Sequence, residues 1–250
     1  MIIHSYESTA RSDACVEYIR SLKKIQMMEQ VFLLPIPSTR DYQTISGTNI
    51  YIYSILELLS PSCVLIGYSL PEWFLSAASD TGCIVHDVSL DEDFLLENAT
   101  LTSEATLGIL LNSSGKSVSN MRVGIVGYGR IGKSLTRMLL YLGASVKVYS
   151  SSDVKRLNLG EWGVATSGST VGADLSDLDV LINTAPAAIF DTDNEAFSSG
   201  LRVIDLASGD NFPGLRSVEK YPSIPAKMFP STAGVAWGRS IERFINSKLS

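Results

Sequence analysis

Apolar residues along the chain fall into short β-like runs separated by stretches in which they recur at helical spacing. The first part reads MIIH, a helix-like ARSDACVEYIRSLKK, VFLLPIP, a helical YSILELL, CVLIG, PEWFLSAASD and CIVHDV. Strands interleaved with helices predict parallel βαβ units, because parallel neighbours need a crossover between them. The acidic DEDFLLENA follows, and the spacing then predicts a helix over EATLGILL capped by Thr102 or Ser103, before NSSGKSVSN turns the chain and marks a boundary. A second series runs RVGIVGYG, a helix from about Ile131 to Tyr141, VKVYS, DVLINTAP and LRVIDLAS, and closes on the amphipathic AGVAWGRSIERFINSKL. Strands this apolar are buried on both faces, as doubly wound sheets require. The expectation is an α/β chain of two Rossmann-like lobes with parallel sheets and a cofactor cleft between them. Residues 1–100 form a Rossmann- or flavodoxin-like lobe, residues 101–235 an NAD(P)-binding Rossmann domain, and the terminal helix, 236–250, packs back on the first lobe.

Charge narrows the partners. The 26 acidic residues outnumber 20 basic ones and no basic run occurs, so a nucleic-acid surface, which needs clustered Lys and Arg, is not expected. A small-molecule partner is. No span stays apolar for the roughly 18 residues of a membrane helix, and MIIHSYESTARSD lacks the pattern of a secretory signal. Cys15, Cys63 and Cys83 are dispersed and only His4 and His86 accompany them, which predicts a reduced, cytoplasmic protein without a metal cluster.

The stretch Gly127-Tyr128-Gly129-Arg130-Ile131-Gly132-Lys133-Ser134 fits two phosphate-binding patterns, the dinucleotide G-x-G-x-x-G and the NTPase loop G-x-x-x-x-G-K-[ST]. In the first, Gly127 permits a tight turn, Gly129 lets backbone approach a diphosphate and Gly132 lets the helix pack closely, with Tyr128, Arg130 and Ile131 completing the loop. In the second, Lys133 neutralises terminal phosphates, Ser134 holds magnesium and Asp205 is a second magnesium contact. Context favours the dinucleotide. ASVKVYS follows the helix after a tight LG turn, closing a βαβ unit of ~30 residues, and a whole α/β lobe precedes the loop.

Choice between NAD and NADP turns on the end of the second strand, where a carboxylate would bind ribose hydroxyls and repel a 2′-phosphate. Ser150, Ser151 and Ser152 occupy that zone and Lys155 or Arg156 supplies positive charge, which favours NADP; Asp153 keeps NAD open. Asn183, Thr184, Ala185 and Pro186 end the next strand and either contact the nicotinamide ribose or make a turn. Asp205 either orients ribose or substrate or caps the segment after it. For substrate, Ser38, Thr39 and Arg40 follow VFLLPIP, Thr102 stands at a helix start with Glu104 in its first turn, and Ser231 and Thr232 precede the last helix; each has a loop or cap alternative. His86 reads as structural, Trp73 and Trp237 as packing residues. No catalytic residue is assigned.

VGIVGYGRIGKSL, LGASVKVYS, LDVLINTAPAAIF, LRVIDLASGD and FPSTAG together resemble the A-type, NADP-dependent subunits of bacterial dipicolinate synthase, from about Asn98 onward; Asn98, Thr102 and Glu104 of NATLTSEATLG match that family's helix start. The resemblance implies an NADP-dependent oxidoreductase that converts 4-hydroxytetrahydrodipicolinate to dipicolinate, the calcium-chelating acid of sporulation. Water is lost, a hydride passes to NADP, and a flavoprotein-like second subunit of B type is the partner. A homo-oligomer is expected. Two positions depart from the family: Gly209 follows Ser208 where DLASRPGG has Arg, and Ser231 stands where PKTAG has Lys. A dicarboxylate substrate calls for such cations. The same segments resemble, more distantly, the D-2-hydroxyacid dehydrogenases, whose Arg and His fall on Ser208 and Ser231 here. An enzyme of that kind, and a non-catalytic NAD(P)-binding protein serving regulation or assembly, therefore stay open.

Overall fold

The computed structural model describes residues 1–113, 115–160, 164–168, 173–186, 197 and 201–248. In chain order the elements used below are β1 (Ile2–Ser5), α1 (Ala10–Arg20), β2 (Gln30–Leu33), β3 (Cys63–Gly67), α2 (Glu72–Asp80), β4 (Ile84–Asp87) and α3 (Glu92–Ser113). There follow β5 (Arg122–Val126), α4 (Arg130–Tyr141), β6 (Ser145–Tyr149), α5 (Asp153–Gly160), β7 (Ala165–Ser167), β8 (Val180–Asn183), β9 (Arg202–Asp205), β10 (Val218–Lys220), α6 (Ile224–Met228) and α7 (Pro230–Lys248). The chain divides into two compact units, one of Met1–Asn98 with Pro225–Ser250, the other of Ala99–Ile224. No helix among the described residues is long and apolar enough to cross a membrane.

The first unit is built on a four-stranded parallel sheet in the order β1-β2-β3-β4. Alternate residues of β2 feed opposite faces, as the two-residue period of a strand dictates: Val31 and Leu33 pack with Cys15, Ile19 and Trp237, whereas Phe32 and, just past the strand, Leu34 pack with Ile52, Ile55 and Phe74. Helix α1 starts in a capping box, the Ser12 amide donating to Thr9 Oγ1 at 3.2 Å and the Thr9 amide to Ser12 Oγ at 3.0 Å. It stops at Arg20 rather than running to Lys24, because the Ser21 hydroxyl donates to Tyr18 O at 2.6 Å and a short 3-10 turn, Ile25–Met27, follows. The segment YSILELL likewise forms a 3-10 helix, Ile52–Leu58, where its spacing predicts an ordinary helix. Helix α7 lies on α1 at backbone distance: a Cβ on Gly234 would sit 2.3 Å from Arg11 O and one on Gly238 2.5 Å from the Tyr18 ring. Tyr18 Oη donates to Glu242 at 2.6 Å across the same seam.

The expected helix over EATLGILL is instead one helix, α3, that begins ten residues before Thr102 at Glu92. Asp91 caps it, accepting the Phe94 amide at 3.1 Å, and acidic residues fill its first turn, so the helix is under way long before Thr102. Thr102 and Ser103 are buried in its interior, and the hydroxyls of Ser103 and Thr106 donate back to Ala99 O and Thr102 O. Polar residues bonded this way do not interrupt a helix. Glu104 is an exposed mid-helix residue, not a first-turn carboxylate.

The second unit carries a six-stranded, all-parallel sheet in the order β10-β9-β8-β5-β6-β7. Val123 and Ile125 of β5, Leu135 and Leu139 of α4 and Ile182 of β8 share one core cluster, which seats α4 against the centre of the sheet. Counted from β5, this order is that of a Rossmann fold, with two three-strand halves wound outward in opposite directions.

His86, in β4, joins the first sheet to α7. Its Nε2 lies 3.0 Å from Ser240 Oγ and its ring stacks on Phe244 at 4.2 Å. Burial pushes its pKa down from 6.5 to about 4, against the raising pull of Asp91 and Asp87 and with a lowering contribution from Arg243. The folded state thus keeps the ring neutral where the unfolded chain would take up a proton. Stability is full above about pH 6.5 and is lost as pH falls toward 4, by a total on the order of 3 kcal/mol. Thermal unfolding between pH 7.5 and 4.5 is expected to show this decline, and a His86→Gln variant a shallower one.

Candidate functional site

The two halves of the second sheet meet between β5 and β8, so the topological switch point lies at the carboxyl ends of Val126 and Asn183. Three glycines shape the turn that leaves β5, each for a separate reason. Gly127 has φ 90°, a conformation that favours glycine, and its amide donates to Tyr149 O at 2.9 Å. Gly129 is the N-cap of α4 with an ordinary φ of −84°, and a Cβ there would meet no protein atom within 4 Å. Gly132 has the opposite surroundings: a Cβ would fall 2.2 Å from Gly127 O. The helix therefore starts directly behind the strand, and the space over Gly129 stays open to the amides of the first helical turn. A diphosphate fits such a cradle.

Thr184 fastens the turn from the other half of the sheet. Its amide and hydroxyl both donate to Val126 O, at 2.9 and 2.8 Å, and the hydroxyl also reaches Gly127 O at 3.3 Å. Tyr128 is half-buried, Arg130 is exposed and Ile131 is half-buried at the start of α4. Lys133 is exposed, with Nζ 5.9 Å from the Tyr128 ring centroid, as a solvated residue of the first turn would be.

At the end of β6, Ser150 is buried, its amide donating to Ser167 O at 2.9 Å and its hydroxyl accepting the Ser152 amide at 3.4 Å. Ser151 is exposed, and Ser152 and Lys155 are half-buried. Arg156 turns back from α5, its Nη1 donating to Ser150 O at 2.5 Å and its Nη2 pairing with Asp153.

Beyond β8 the side chains face one another. Asn183 is fully buried; its Nδ2 donates to Ala185 O at 3.0 Å and to Asp205 Oδ1 at 2.9 Å, while its Oδ1 accepts the Ala185 amide at 3.1 Å. Asp205, also buried, accepts further bonds from Asn211 Nδ2, at 3.3 and 3.2 Å, and from the Ala207 amide at 3.2 Å. Both residues brace the ends of β8 and β9, and the part of this segment left toward solvent is Thr184, Ala185 and Pro186. Asn211 is a member of this network that sequence reasoning misses. Its only sequence signal is the turn cluster SGDN, in which Gly209 takes φ 95°, and such a cluster does not say which side chain folds inward.

The substrate candidates occupy varied settings. Ser38 is fully buried after β2, donating to Pro35 O at 3.0 Å and accepting the Tyr68 amide at 2.7 Å; Thr39 donates to Asp41 Oδ1 at 3.1 Å, and Arg40 is exposed. The Thr44 amide and hydroxyl, then the Gln43 amide, hold the Asp41 carboxyl well below the usual carboxylate range. Ser231 and Thr232 are exposed and lie inside the first turn of α7, not ahead of it, because Pro230 opens the helix with a φ already set for it. Of the two tryptophans expected to pack, Trp237 is fully buried, while Trp73 is 48% exposed and meets Phe74 edge-on.

Comparison with known proteins places this geometry. Residues 108–194 match the family model "D-isomer specific 2-hydroxyacid dehydrogenase, NAD binding domain". Switch point, glycine turn and family match together define a nucleotide-binding Rossmann unit of dehydrogenase type, suited to a nicotinamide cofactor. Within that class the chain is similar to the A-type subunits of dipicolinate synthase. It is 27% identical to the A-type protein of Bacillus subtilis (strain 168) over 152 residues, 57% of this chain and 51% of that one. The match thus spans about half the length of the curated relative. The A-type dipicolinate synthase protein from Bacillus halodurans superposes with a TM-score of 0.77 at 20% identity, covering 98% of this chain and 97% of that one. The corresponding structure from Bacillus subtilis gives 0.74 at 17%, covering 98% and 95%.

Gly132→Ala is expected to lower stability by about 1–3 kcal/mol, since either the helix or the Gly127 carbonyl must move. Gly129→Ala, unstrained and contact-free, should stay within about 0.5 kcal/mol of the parent. Denaturant unfolding of the two variants checks both.

Proposed function

We propose that the chain is an NADP-dependent oxidoreductase of the dipicolinate synthase A type. The observation that carries the proposal is the open position over Gly129 at the switch point, backed by the first turn of α4. Gly127, Tyr128, Gly129, Arg130 and Ile131 hold the diphosphate. Ser150, Ser151, Ser152 and Lys155 receive the phosphorylated adenosine ribose. Thr184, Ala185 and Pro186 line the nicotinamide end, on a floor that Asn183 and Asp205 hold rigid. When bound, the nicotinamide supplies a hydride acceptor. With 4-hydroxytetrahydrodipicolinate as substrate, loss of water would leave a dihydropyridine dicarboxylate, and loss of a hydride, which a bound oxidised nicotinamide would accept, with a proton to solvent would give aromatic dipicolinate. Ser38, Thr39, Thr102, Ser231 and Thr232 are the candidates for substrate contact, and a flavoprotein-like second subunit of B type is the candidate partner.

One observation favours a second reading. Gly209 and Ser231 stand where the resemblance places cations, and a dicarboxylate binds best through charge-assisted hydrogen bonds. A non-catalytic NADP-binding protein, serving regulation or assembly, would not need them. Formation of NADPH from freshly generated substrate, with and without the flavoprotein-like partner, separates the two.

Fluorescence titration with NADPH, NADH and ATP tests the cofactor. NADPH is expected to bind, and Gly129→Ala to weaken it about tenfold or more, because a methyl group then occupies the diphosphate's place. Tight ATP binding with weak NADPH binding would overturn the proposal in favour of the NTPase loop.

A further inference from the structure

The end of β6 carries an arrangement more specific than a serine-rich turn with nearby charge. No carboxylate occurs at Ser150, Ser151 or Ser152, where one would bind the ribose hydroxyls. The guanidinium of Arg156 is folded back onto this strand end, anchored by Nη1 to Ser150 O at 2.5 Å. It also lies against the end of β7, its Nη1 3.5 Å from where a Cβ on Gly168 would be. Two strand ends thus bracket one planar cation. The remaining side, Nη2, pairs with Asp153.

The two partners are unequally exposed: the Asp153 side chain is 83% accessible and that of Arg156 26%. An ion pair with so solvated a carboxylate is weak and readily exchanged. A phosphate dianion offers the same fork more charge and more acceptor oxygens, in the geometry a guanidinium binds bidentately.

We propose that Arg156 selects a 2′-phosphorylated dinucleotide, with Asp153 occupying its Nη2 face until the phosphate displaces it; this rests on the dinucleotide reading above. Asp153 is then a competitor of the phosphate, and Arg156, with Lys155 as the lesser contact, sets the preference between the two cofactors.

Titrating the chain and its Arg156→Gln, Arg156→Lys, Lys155→Gln and Asp153→Asn variants with NADPH, NADH and 2′,5′-ADP tests this, with unfolding curves to confirm that each variant folds. Arg156→Gln is expected to lose about tenfold or more in affinity for NADPH and 2′,5′-ADP while NADH changes less than about twofold. Arg156→Lys should recover part of that loss, and Asp153→Asn should bind NADPH several-fold more tightly, as removal of a competing charge requires. Equal losses for NADPH and NADH in Arg156→Gln, a loss of selectivity in Lys155→Gln larger than that in Arg156→Gln, or weakened NADH with unchanged NADPH in Asp153→Asn would each overturn the assignment. Failure of the parent to bind either dinucleotide would overturn the proposed function and this assignment together. Dinucleotide binding without a 2′-phosphate preference would overturn the assignment alone.

Discussion

The approach of α4 to the turn after β5 is the constraint on which the chemistry of the second unit rests. With Gly132 set against the Gly127 carbonyl, the helix begins closer to the strand than a residue with a side chain would permit. That brings the positive end of its dipole to the switch point. Thr184 ties the same turn to β8, so it is braced from both halves of the sheet. The amides are aimed before any ligand arrives, which reduces the ordering a ligand must impose.

The second bracing device is polar and buried. Asn183 and Asn211 satisfy the Asp205 carboxylate through neutral amide groups, with the Ala207 amide as a further donor. A network with its members paired in this way stiffens the strand ends that carry it, and losing one partner would leave buried polar atoms unsatisfied. The segment after β9 is thereby locked onto the sheet, where the resemblance places a cationic residue.

Much of this is legible in the chain because the strands that matter are continuous apolar runs. RVGIV, VKVY, VLIN and RVID all appear as central strands, and the glycine spacing locates the turn between strand and helix. What escapes has weak or two-sided signals. β7 and β10 are three residues each, too short for a period to show, and α5 lies in the polar stretch DVKRLNLG. Thr102 and Ser103 look like caps because hydroxyl residues favour helix starts, but a hydroxyl can also bond back to its own helix, and composition does not distinguish the two. Asn183 and Asp205 end strands at the switch point, where the sequence leaves open a ligand contact or a turn and cap role. Their polar atoms are bonded to one another and to the loop, which only tertiary proximity reveals.

The division of the chain has a bearing on how the protein is made. Trp237, Ile241 and Ile245 belong to the same core as Cys15, Val31 and Val64, yet 126 residues of the other unit, Ala99–Ile224, are translated between the two parts of the first. A ribosome delivers the middle unit whole while the first sheet still lacks the helix that covers one of its faces. The inserted unit can mature during synthesis, and the surrounding one closes only once α7 has emerged, with apolar surface showing in the interval.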